Sequence, residues 1–282
     1  MAERAIKTLL VVAATGCIGC GGVNSTKGIH PTPSPSWVVD KRIDSLLQLH
    51  QVEGSIVVFD PAAGTHYTND SIEARAAYLP ASTYKVPHSV IALATGVIAD
   101  SSTVIPWDGG DYFLDVWEQD LTFAQALRFS CVPCYRRIAR SIGAEQMRRY
   151  LDSIDYPGMV FDSTSVDGFW LRGPSAISAL EQVEFLRRLR ENRLPISPAI
   201  QATVVDMMHL ESRGRASLHG KTGWAMREDA PDIGWFVGFV RRPEGTVYVA
   251  TRILPTTIDA PEGFVGLRRE VTEEVLEGMG WW

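Results

Sequence analysis

Apolar residues recur along the chain with two different spacings, and each spacing predicts its own kind of secondary structure. From residue 36 the sequence reads SWVVDKRIDSLLQLHQ, in which Val39, Ile43, Leu46 and Leu47 fall on one side of a helix that a serine precedes. The next segment, GSIVVFDPAAGTHYT, is rich in β-branched residues around a DPAAG turn, which predicts a β-hairpin. The folded region is therefore predicted to begin with a helix and a hairpin.

The C-terminal part shows the same elements in reverse order. The segment IGWFVGFVRRPEGTVYVATRIL predicts two strands around an RPEG turn, and LRREVTEEVLEGMG predicts a last helix. Between the two ends, from about residue 80 to 215, the patterns are mostly helical. This order predicts an α/β protein of the α+β type, with a central antiparallel sheet built from both termini, flanked by helices, and a helical region inserted.

The first residues have the pattern of a targeting segment. Arg4 and Lys7 precede an apolar run at residues 9–14, and small residues and cysteines follow. This layout predicts an export signal over residues 1–20, because the apolar run is too short to span a bilayer as a permanent helix. We therefore expect an exported, periplasmic protein.

The cysteines of this segment raise the question of a lipid anchor. The letters ATGC, which end at Cys17, resemble a bacterial lipoprotein cleavage site, and Cys20 is a second candidate for lipidation. A simple cleaved signal without a membrane anchor is the alternative. Residues 21–36 are rich in Gly, Pro and Ser and predict a flexible linker, so the folded domain is expected over residues 37–282.

Composition and charge narrow the classes of function. The 282-residue chain is 45% hydrophobic and 21% charged, which is ordinary for a globular protein with a core. Its net charge of −6 gives no reason to expect nucleic acid as a partner, because that partner favours a basic face. The six histidines show no H-x-H-x-D or H-E-x-x-H arrangement, so a zinc hydrolase is disfavoured and no metal site is predicted. The oligomeric state stays unknown at this level.

A serine and a lysine at the start of an apolar run carry the first candidate chemistry. The letters STYK at residues 82–85 are followed by Pro87, which is tolerated close to the first turn of a helix, so a helix is predicted to begin near Ser82. Free backbone N–H groups at that end favour a developing anion on Ser82. Lys85 follows one turn on, within reach of the serine oxygen. Alone the motif is weak, because S-x-x-K is expected about once by chance in such a chain.

Two further motifs complete a pattern. Ser130 begins an SCV triplet just before Pro133, at a predicted helix start, and this position distinguishes it from other Ser-x-Val triplets in the chain. The letters KTG at residues 221–223 offer a cation, a hydroxyl and a glycine that lets a ligand approach the strand backbone. The order S-x-x-K, serine triplet, K-T-G is typical of penicillin-recognising serine acyltransferases.

With these motifs in place, the chain resembles the class D (oxacillinase-type) serine β-lactamases. The matching stretches run in the order of that family from about residue 40 to 280 and read YLPASTYKVP, IALATGVI, WDG, DLTFAQALRFSCVP, DGFWLRG, ISALEQVEFL, HGKTGW, GWFVGFV and LRREV. The resemblance implies a serine β-lactamase/penicillin-binding transpeptidase-like fold. It also implies hydrolysis of the β-lactam ring of penicillin-type antibiotics, which confers antibiotic resistance.

The resemblance implies a role for each motif residue. Ser82 is implied to be the acylated nucleophile, and its backbone N–H forms the oxyanion hole together with that of Trp224. Ser130 and Lys221 are implied to relay protons and to help hold the substrate. The residues implied to bind the substrate are Thr222, Gly223 and Arg268.

For Lys85 the resemblance implies a reaction with carbon dioxide, giving a carbamate that serves as general base in acylation and deacylation. The physics agrees, because buried lysines can titrate near about 5–6 and a neutral amine can attack carbon dioxide. Val132 offers no polar group to hold Lys85 as a cation. Trp170 is implied to support the carbamate through its indole N–H. No other cofactor is expected.

Cys131 and Cys134 leave more than one interpretation open. A C-x-x-C spacing at a helix start is typical of a thioredoxin-like redox pair. That interpretation is disfavoured because the βαβ context is missing, because Pro133 belongs to the Ser-x-Val-Pro pattern and because small buried cysteines are common. In an exported protein, a disulfide between the two remains an alternative.

The chain departs from the family pattern at one loop. Tyr156-Pro157-Gly158 stands where the family has Tyr-Gly-Asn. The aromatic residue is present and the asparagine is absent, which leaves the geometry of this loop open.

Two other functions share these motifs. A β-lactam sensor domain or a penicillin-binding peptidase is acylated without turnover. Such proteins usually carry a polar residue, often Asn, where this chain has Val132, so hydrolysis is favoured. A class A β-lactamase would show Ser-Asp-Asn, which this sequence lacks.

Overall fold

The structure, a computed structural model, describes residues 36–258 and 260–282. The predicted export signal, the lipidation candidates Cys17 and Cys20, and the predicted linker up to residue 35 lie outside the described residues. Ser36, the last residue of the predicted linker, is the first residue of a strand. Among the described residues, none of the helices has both the length and the apolar character that crossing a bilayer requires.

A sheet of strands from both ends of the chain forms the centre of the molecule. In chain order the strands are β1 Ser36–Val39, β2 Val52–Asp60, β3 Thr65–Thr68, β4 Ala77–Tyr78, β5 Val104–Ile105, β6 Leu121–Thr122, β7 Ile177–Ser178, β8 His209–Arg213, β9 Ala216–Ala225, β10 Ile233–Arg242 and β11 Gly245–Pro255. Within the described ranges, the central sheet has seven strands in the order β1-β3-β2-β11-β10-β9-β8. Its neighbours are antiparallel except β1 and β3, which run parallel.

Helices cover both faces of this sheet. They are α1 Lys41–Leu49, α2 Lys85–Ala94, α3 Phe123–Arg128, α4 Val132–Ile142, α5 Ala144–Ser153, α6 Ala179–Arg190, α7 Pro198–Met207 and α8 Phe264–Gly278, with 3-10 turns at Glu73–Arg75, Ala81–Tyr84 and Asp115–Trp117. The terminal helices α1 and α8 bury Ile43, Leu47 and Val275 in one apolar cluster with residues of the sheet. The inserted helices bury their apolar sides in a second cluster.

The two clusters exist because side chains alternate along each strand. In β2, Ile56 and Val58 belong to the cluster under α1 and α8. Val57 and Phe59 belong to the cluster with the inserted helices. Both faces of β2 are therefore apolar, which is why GSIVVFD reads as a continuous apolar run.

The predicted α+β architecture is confirmed, because the hairpin β2–β3 pairs through β11 with the hairpin β10–β11. The helix predicted from residue 36 begins later than expected. Val38 and Val39 belong to β1, and α1 begins at Lys41 after Asp40, whose side chain accepts a hydrogen bond from the backbone N–H of Arg42. A β-branched pair followed by an N-cap residue favours this boundary.

Candidate active site

Ser82 lies in the 3-10 turn Ala81–Tyr84, which leads directly into α2. Ala81, the residue before it, has φ +50, in the left-handed region that a residue with a Cβ adopts only at a cost of roughly 1–2 kcal/mol. Ser82 is 8% exposed, and the rest of the turn is buried. The chain therefore holds a serine hydroxyl at the edge of the core, at the start of a helix, as the sequence predicts.

Lys85 is fully buried at the first position of α2 and donates a hydrogen bond from Nζ to Ser82 Oγ at 2.7 Å. Burial lowers the pKa of Lys85 to about 7, and the positive charge of Arg136 adds to the decrease. Desolvation disfavours the ammonium form, so a large fraction of Lys85 is a neutral amine near neutral pH. A neutral amine beside a serine hydroxyl can accept a proton or react as a nucleophile.

A second serine and lysine pair lies beside the first. Lys221 in β9 donates from Nζ to Ser130 Oγ and to the Thr222 carbonyl at 2.9 Å. Burial and then the positive charges of Lys85 and Arg268 hold the pKa of Lys221 well below its usual value. Because the charge of Lys85 lowers the pKa of Lys221, the two amines lie within electrostatic range of each other, in one site. The hydrogen bond between Lys221 and Ser130 joins residues that are far apart in the sequence.

The connection between α3 and α4 positions Ser130. Its φ of +55 lies in the left-handed region, and α4 begins two residues later at Val132. From α4, the ring of Tyr135 faces the site, with its centroid 5.4 Å from Lys85 Nζ. The strained backbone of Ser130 and the capped start of α4 together fix the direction of the serine hydroxyl.

Gly223 allows β9 to lie directly against the Ser82 turn. A Cβ at this position would stand 3.0 Å from Thr83 Cγ2 and 3.1 Å from the Pro80 carbonyl oxygen. A side chain here would push β9 away from the 3-10 turn. Packing therefore favours the glycine of the K-T-G motif, as does the ligand approach that the sequence suggests.

Arg268 in α8 reaches the same strand. Its Nη1 donates a hydrogen bond to the Gly223 carbonyl, next to the half-buried Thr222. Burial lowers the pKa of Arg268 to about 10, so the guanidinium is still a cation at neutral pH. The indole of Trp224 donates to Asp232 Oδ2 at 2.7 Å, which ties the end of β9 to the residue directly before β10. The structure thus brings the predicted substrate-binding residues to one strand.

Trp170 is completely buried and stacks on Tyr84, with 5.5 Å between ring centroids. Its Nε1 has no hydrogen-bond partner in the described part of the chain. Leaving a buried donor unpaired costs about 1–3 kcal/mol. The indole N–H is therefore a free donor in the apolar pocket around the Ser82 turn.

The structure adds a series of hydrogen bonds between buried polar side chains, which the motifs do not reveal. Tyr156 Oη donates to Gln182 Oε1 at 3.2 Å, and Gln182 Nε2 donates to Thr83 Oγ1 at 2.8 Å. Thr83 Oγ1 in turn donates to the Pro80 carbonyl at 2.6 Å. The tyrosine of the divergent loop thus supports the turn that carries the nucleophile. The sequence signal for Gln182 is only a polar residue in an apolar helix pattern.

Gly158 shows how the divergent loop keeps its shape. Its φ is +79, and a Cβ there would stand 1.9 Å from the Ala176 carbonyl oxygen. The backbone N–H of Ala176 donates to the Gly158 carbonyl at 2.9 Å. Tyr156-Pro157-Gly158 therefore retains the aromatic residue and supplies a glycine where the chain needs a positive φ and a close approach.

Cys131 and Cys134 form a disulfide, with 5.4 Å between their Cα atoms. The redox state that the sequence left open is therefore that of a disulfide. Both cysteines are buried, and the bond links the N-cap residue of α4 to the first turn of that helix. It restrains the segment that carries Ser130 and Val132.

Reduction of this disulfide is expected to lower the free energy of unfolding by about 2 kcal/mol, because the short closed loop restricts the unfolded chain. For a domain of this size, that lowers Tm by about 4–8 °C. Thermal unfolding followed by circular dichroism, with and without dithiothreitol, measures the change. A variant with Cys131→Ala and Cys134→Ala is the control and should not respond to the reductant. Equal Tm values for oxidised and reduced protein would contradict the stabilising role.

Comparison with known proteins agrees with this geometry. Residues 54–266 match the family described as "Penicillin binding protein transpeptidase domain". The chain is 36% identical to β-lactamase OXA-48 of Klebsiella pneumoniae over 247 residues, 88% of this chain and 91% of that one. It is 36% identical to β-lactamase OXA-10 of Pseudomonas aeruginosa over 231 residues, 81% of this chain and 85% of that one. The structure of a class D β-lactamase from Nostoc, YbXI, superposes on this chain with a TM-score of 0.81 at 33% sequence identity. The superposition covers 87% of this chain and 100% of the Nostoc chain.

The fold and the two serine and lysine pairs define a penicillin-recognising serine acyltransferase. The relatives narrow the class further, since both the similar sequences and the similar structure are β-lactamases. The chain belongs to the class D β-lactamase family. The family that the sequence motifs suggested is thereby confirmed.

Proposed function

We propose that this protein hydrolyses the β-lactam ring of penicillin-type antibiotics through an acyl-enzyme on Ser82, and that it thereby confers resistance. The observation that carries the proposal is the buried contact of 2.7 Å between Ser82 Oγ and Lys85 Nζ, beside the Lys221 and Ser130 pair. The relatives named OXA-48 and OXA-10 are β-lactamases, which supports the same reaction here.

In the proposed reaction, Ser82 Oγ attacks the lactam carbonyl carbon, and the ring C–N bond breaks. The Lys221 and Ser130 pair passes a proton to the ring nitrogen as it leaves. The backbone N–H groups of Ser82 and Trp224 stabilise the negative oxygen, and losing one such donor typically costs about 10²–10³ in rate. Water then attacks the ester on Ser82 and releases the opened product.

We propose that the base for these steps is Lys85 carrying a carboxyl group. The lone pair of the neutral amine attacks the carbon of carbon dioxide, an N–C bond forms, and the amine releases a proton to solvent. The site fits such an anion: about half of Lys85 is neutral near pH 7, Trp170 offers a free buried N–H, and Arg136 is a nearby positive charge. When carboxylated, Lys85 supplies the base for acylation and for deacylation.

The substrate carboxylate is proposed to bind at Thr222 and Arg268. The Arg268 guanidinium donates to the Gly223 carbonyl, so it is held at the strand where the substrate backbone would lie. Its buried Nε has no partner among residues 36–258 and 260–282. A cation with spare donors at this strand favours a substrate that bears a negative charge.

We also propose that the protein is exported to the periplasm. The pattern of residues 1–20 supports this location. The Cys131 and Cys134 disulfide supports it as well, because such bonds persist in oxidising compartments. Lipidation at Cys17 or Cys20, which would anchor the chain to a membrane, is part of the proposal and rests on the sequence pattern alone.

Steady-state turnover of a chromogenic cephalosporin tests hydrolysis directly. We expect many product molecules per enzyme molecule, because Lys85 and Trp170 equip the site to activate water after acylation. Production of a single equivalent of product, followed by a stable acyl-enzyme, would instead indicate a sensor domain or a penicillin-binding peptidase and would contradict the proposal. A parallel panel of penicillin, oxacillin and a carbapenem with added bicarbonate defines the substrate range.

A further inference from the structure

His88 is a buried polar residue that the reaction as described does not use. It lies in α2 one turn after Lys85, and it is completely buried. Both of its ring nitrogens lack a hydrogen-bond partner among the described residues. Buried polar atoms are nearly always paired, so an imidazole with two unpaired nitrogens requires an explanation.

The rings around His88 place it in the same pocket as Lys85. Its centroid lies 5.1 Å from that of Tyr135, whose own centroid is 5.4 Å from Lys85 Nζ. The ring centroid of His88 also lies 5.4 Å from that of Trp170 and 5.5 Å from that of Tyr84. Helical side chains generally lean toward the preceding turn, which for His88 is the turn that begins with Lys85. Trp170, whose indole N–H is also unpaired, borders the same ring.

The charge state of His88 decides what it can bind. Burial lowers the pKa of His88 to about 3, and the positive charge of Lys85 adds to the decrease. The ring is therefore neutral at physiological pH, with one N–H donor and one acceptor nitrogen. Around it, Tyr135 Oη is already within 2.6 Å of Ser89 Oγ, and Tyr84 Oη donates to Met147 Sδ. With Lys85 as an amine, neither ring nitrogen of His88 has a hydrogen-bond partner among the described residues.

A carboxyl group on Lys85 would change this situation, because it brings two acceptor oxygens and a negative charge into the pocket. We propose that His88 is a positioning residue for the carboxylated form of Lys85, to which its ring N–H donates a hydrogen bond beside that of Trp170. The inference rests on the proposed function. It explains why a polar ring, and not an apolar one, occupies a fully buried position among aromatic residues.

The experiment compares the wild-type protein with His88→Phe and His88→Asn. Each protein is titrated with ¹³C-labelled bicarbonate, and the carbamate carbon is followed by NMR. Phenylalanine keeps an aromatic ring without a donor, so His88→Phe should require about 10-fold more bicarbonate for half-maximal carboxylation. Asparagine keeps a short N–H donor and should stay within about 3-fold of wild type. Tyr135→Phe is the matched control, because it alters the same pocket without removing a donor proposed to face Lys85.

The outcomes separate this inference from the proposed function. Equal bicarbonate dependence of His88→Phe and wild type would overturn the role of His88 while leaving the carbamate intact. A wild-type protein without any carbamate signal would reject the carboxylated lysine itself, and this inference with it. If His88→Phe fails to fold, ¹⁵N-labelled histidine in the wild type serves instead. The His88 ring signals should then shift as bicarbonate is added, and unshifted signals at full carboxylation would overturn the inference.

Discussion

Replacing Ser82 by alanine removes β-lactam hydrolysis almost completely, with an expected fall in kcat of roughly 10⁴–10⁶-fold, because no other hydroxyl takes the place of the attacking oxygen. The Ser82 side chain is the group that Lys85 contacts at 2.7 Å, and the 3-10 turn holds it at the edge of the core. Mass spectrometry of the protein after incubation with penicillin measures the covalent adduct. The wild type should gain one acyl group on Ser82, and Ser82→Ala should gain none.

Ser89→Ala is the matched control for this experiment. Ser89 is also a buried serine of α2, and its hydroxyl donates to the Lys85 carbonyl at 2.7 Å. We expect this variant to be acylated on Ser82 at the same stoichiometry as the wild type. An adduct on a residue other than Ser82, in either variant, would contradict the assignment of the nucleophile.

Lys85→Met is expected to trap the acyl-enzyme and to lower kcat by about 10²–10⁴-fold, the range that a general base typically contributes. Methionine fills the same buried space without a nitrogen, so Ser82 and the incoming water both lose their base. Rapid quenching followed by mass spectrometry should show acyl-Ser82 that persists in the variant and disappears in the wild type. Rapid release of the acyl group from Lys85→Met would contradict the role of Lys85.

The pH dependence of the wild type provides a second measurement on Lys85. Because burial lowers the pKa of Lys85 to about 7, the neutral amine predominates above that pH and is protonated below it. At pH 5 only about one amine in a hundred would be neutral. Activity should therefore fall as the pH decreases below 7, and added bicarbonate should restore part of it. Lys41→Met, a change at an exposed lysine, should leave this pH profile unaltered.

The parts of the fold that depend on local pattern were predictable. The alternating and continuous apolar runs identified β2, β3, β10 and β11. The i, i+3 spacing of Ser82 in the 3-10 turn and Lys85 at the start of α2 brought these two side chains together. The start of α1 was predicted too early. A serine and two valines before Asp40 fit the beginning of an amphipathic helix as well as they fit a short strand. Such boundaries depend on which residue caps the helix.

The remaining parts of the site depend on contacts between distant segments. Ser130 and Lys221 are 91 residues apart in the sequence, so the sequence alone indicated their contact through resemblance and not through spacing. The hydrogen bonds from Tyr156 to Gln182 and from Gln182 to Thr83 likewise join segments that are distant in the sequence. Single buried polar residues within apolar runs, such as Gln182 and His88, were the local signal for these contacts. Their partners could not be identified from the sequence.

The proposed chemistry depends on the burial of Lys85, which the fold removes from contact with water. Burial makes the ammonium form of Lys85 costly, and the positive charge of Arg136 adds to that cost. The amine is therefore poised to become an anion by reaction with carbon dioxide. In the proposed carboxylated form, the unpaired nitrogens of Trp170 and His88 would supply the donors that such an anion needs.

NMR of the active wild-type protein in ¹³C-labelled bicarbonate at slightly alkaline pH is the most direct test of this account. A carbamate carbon signal should appear in proportion to activity, and Lys85→Met should lack it. An enzyme that turns over β-lactams at full rate in saturating bicarbonate without this signal would show that Lys85 works as an unmodified amine.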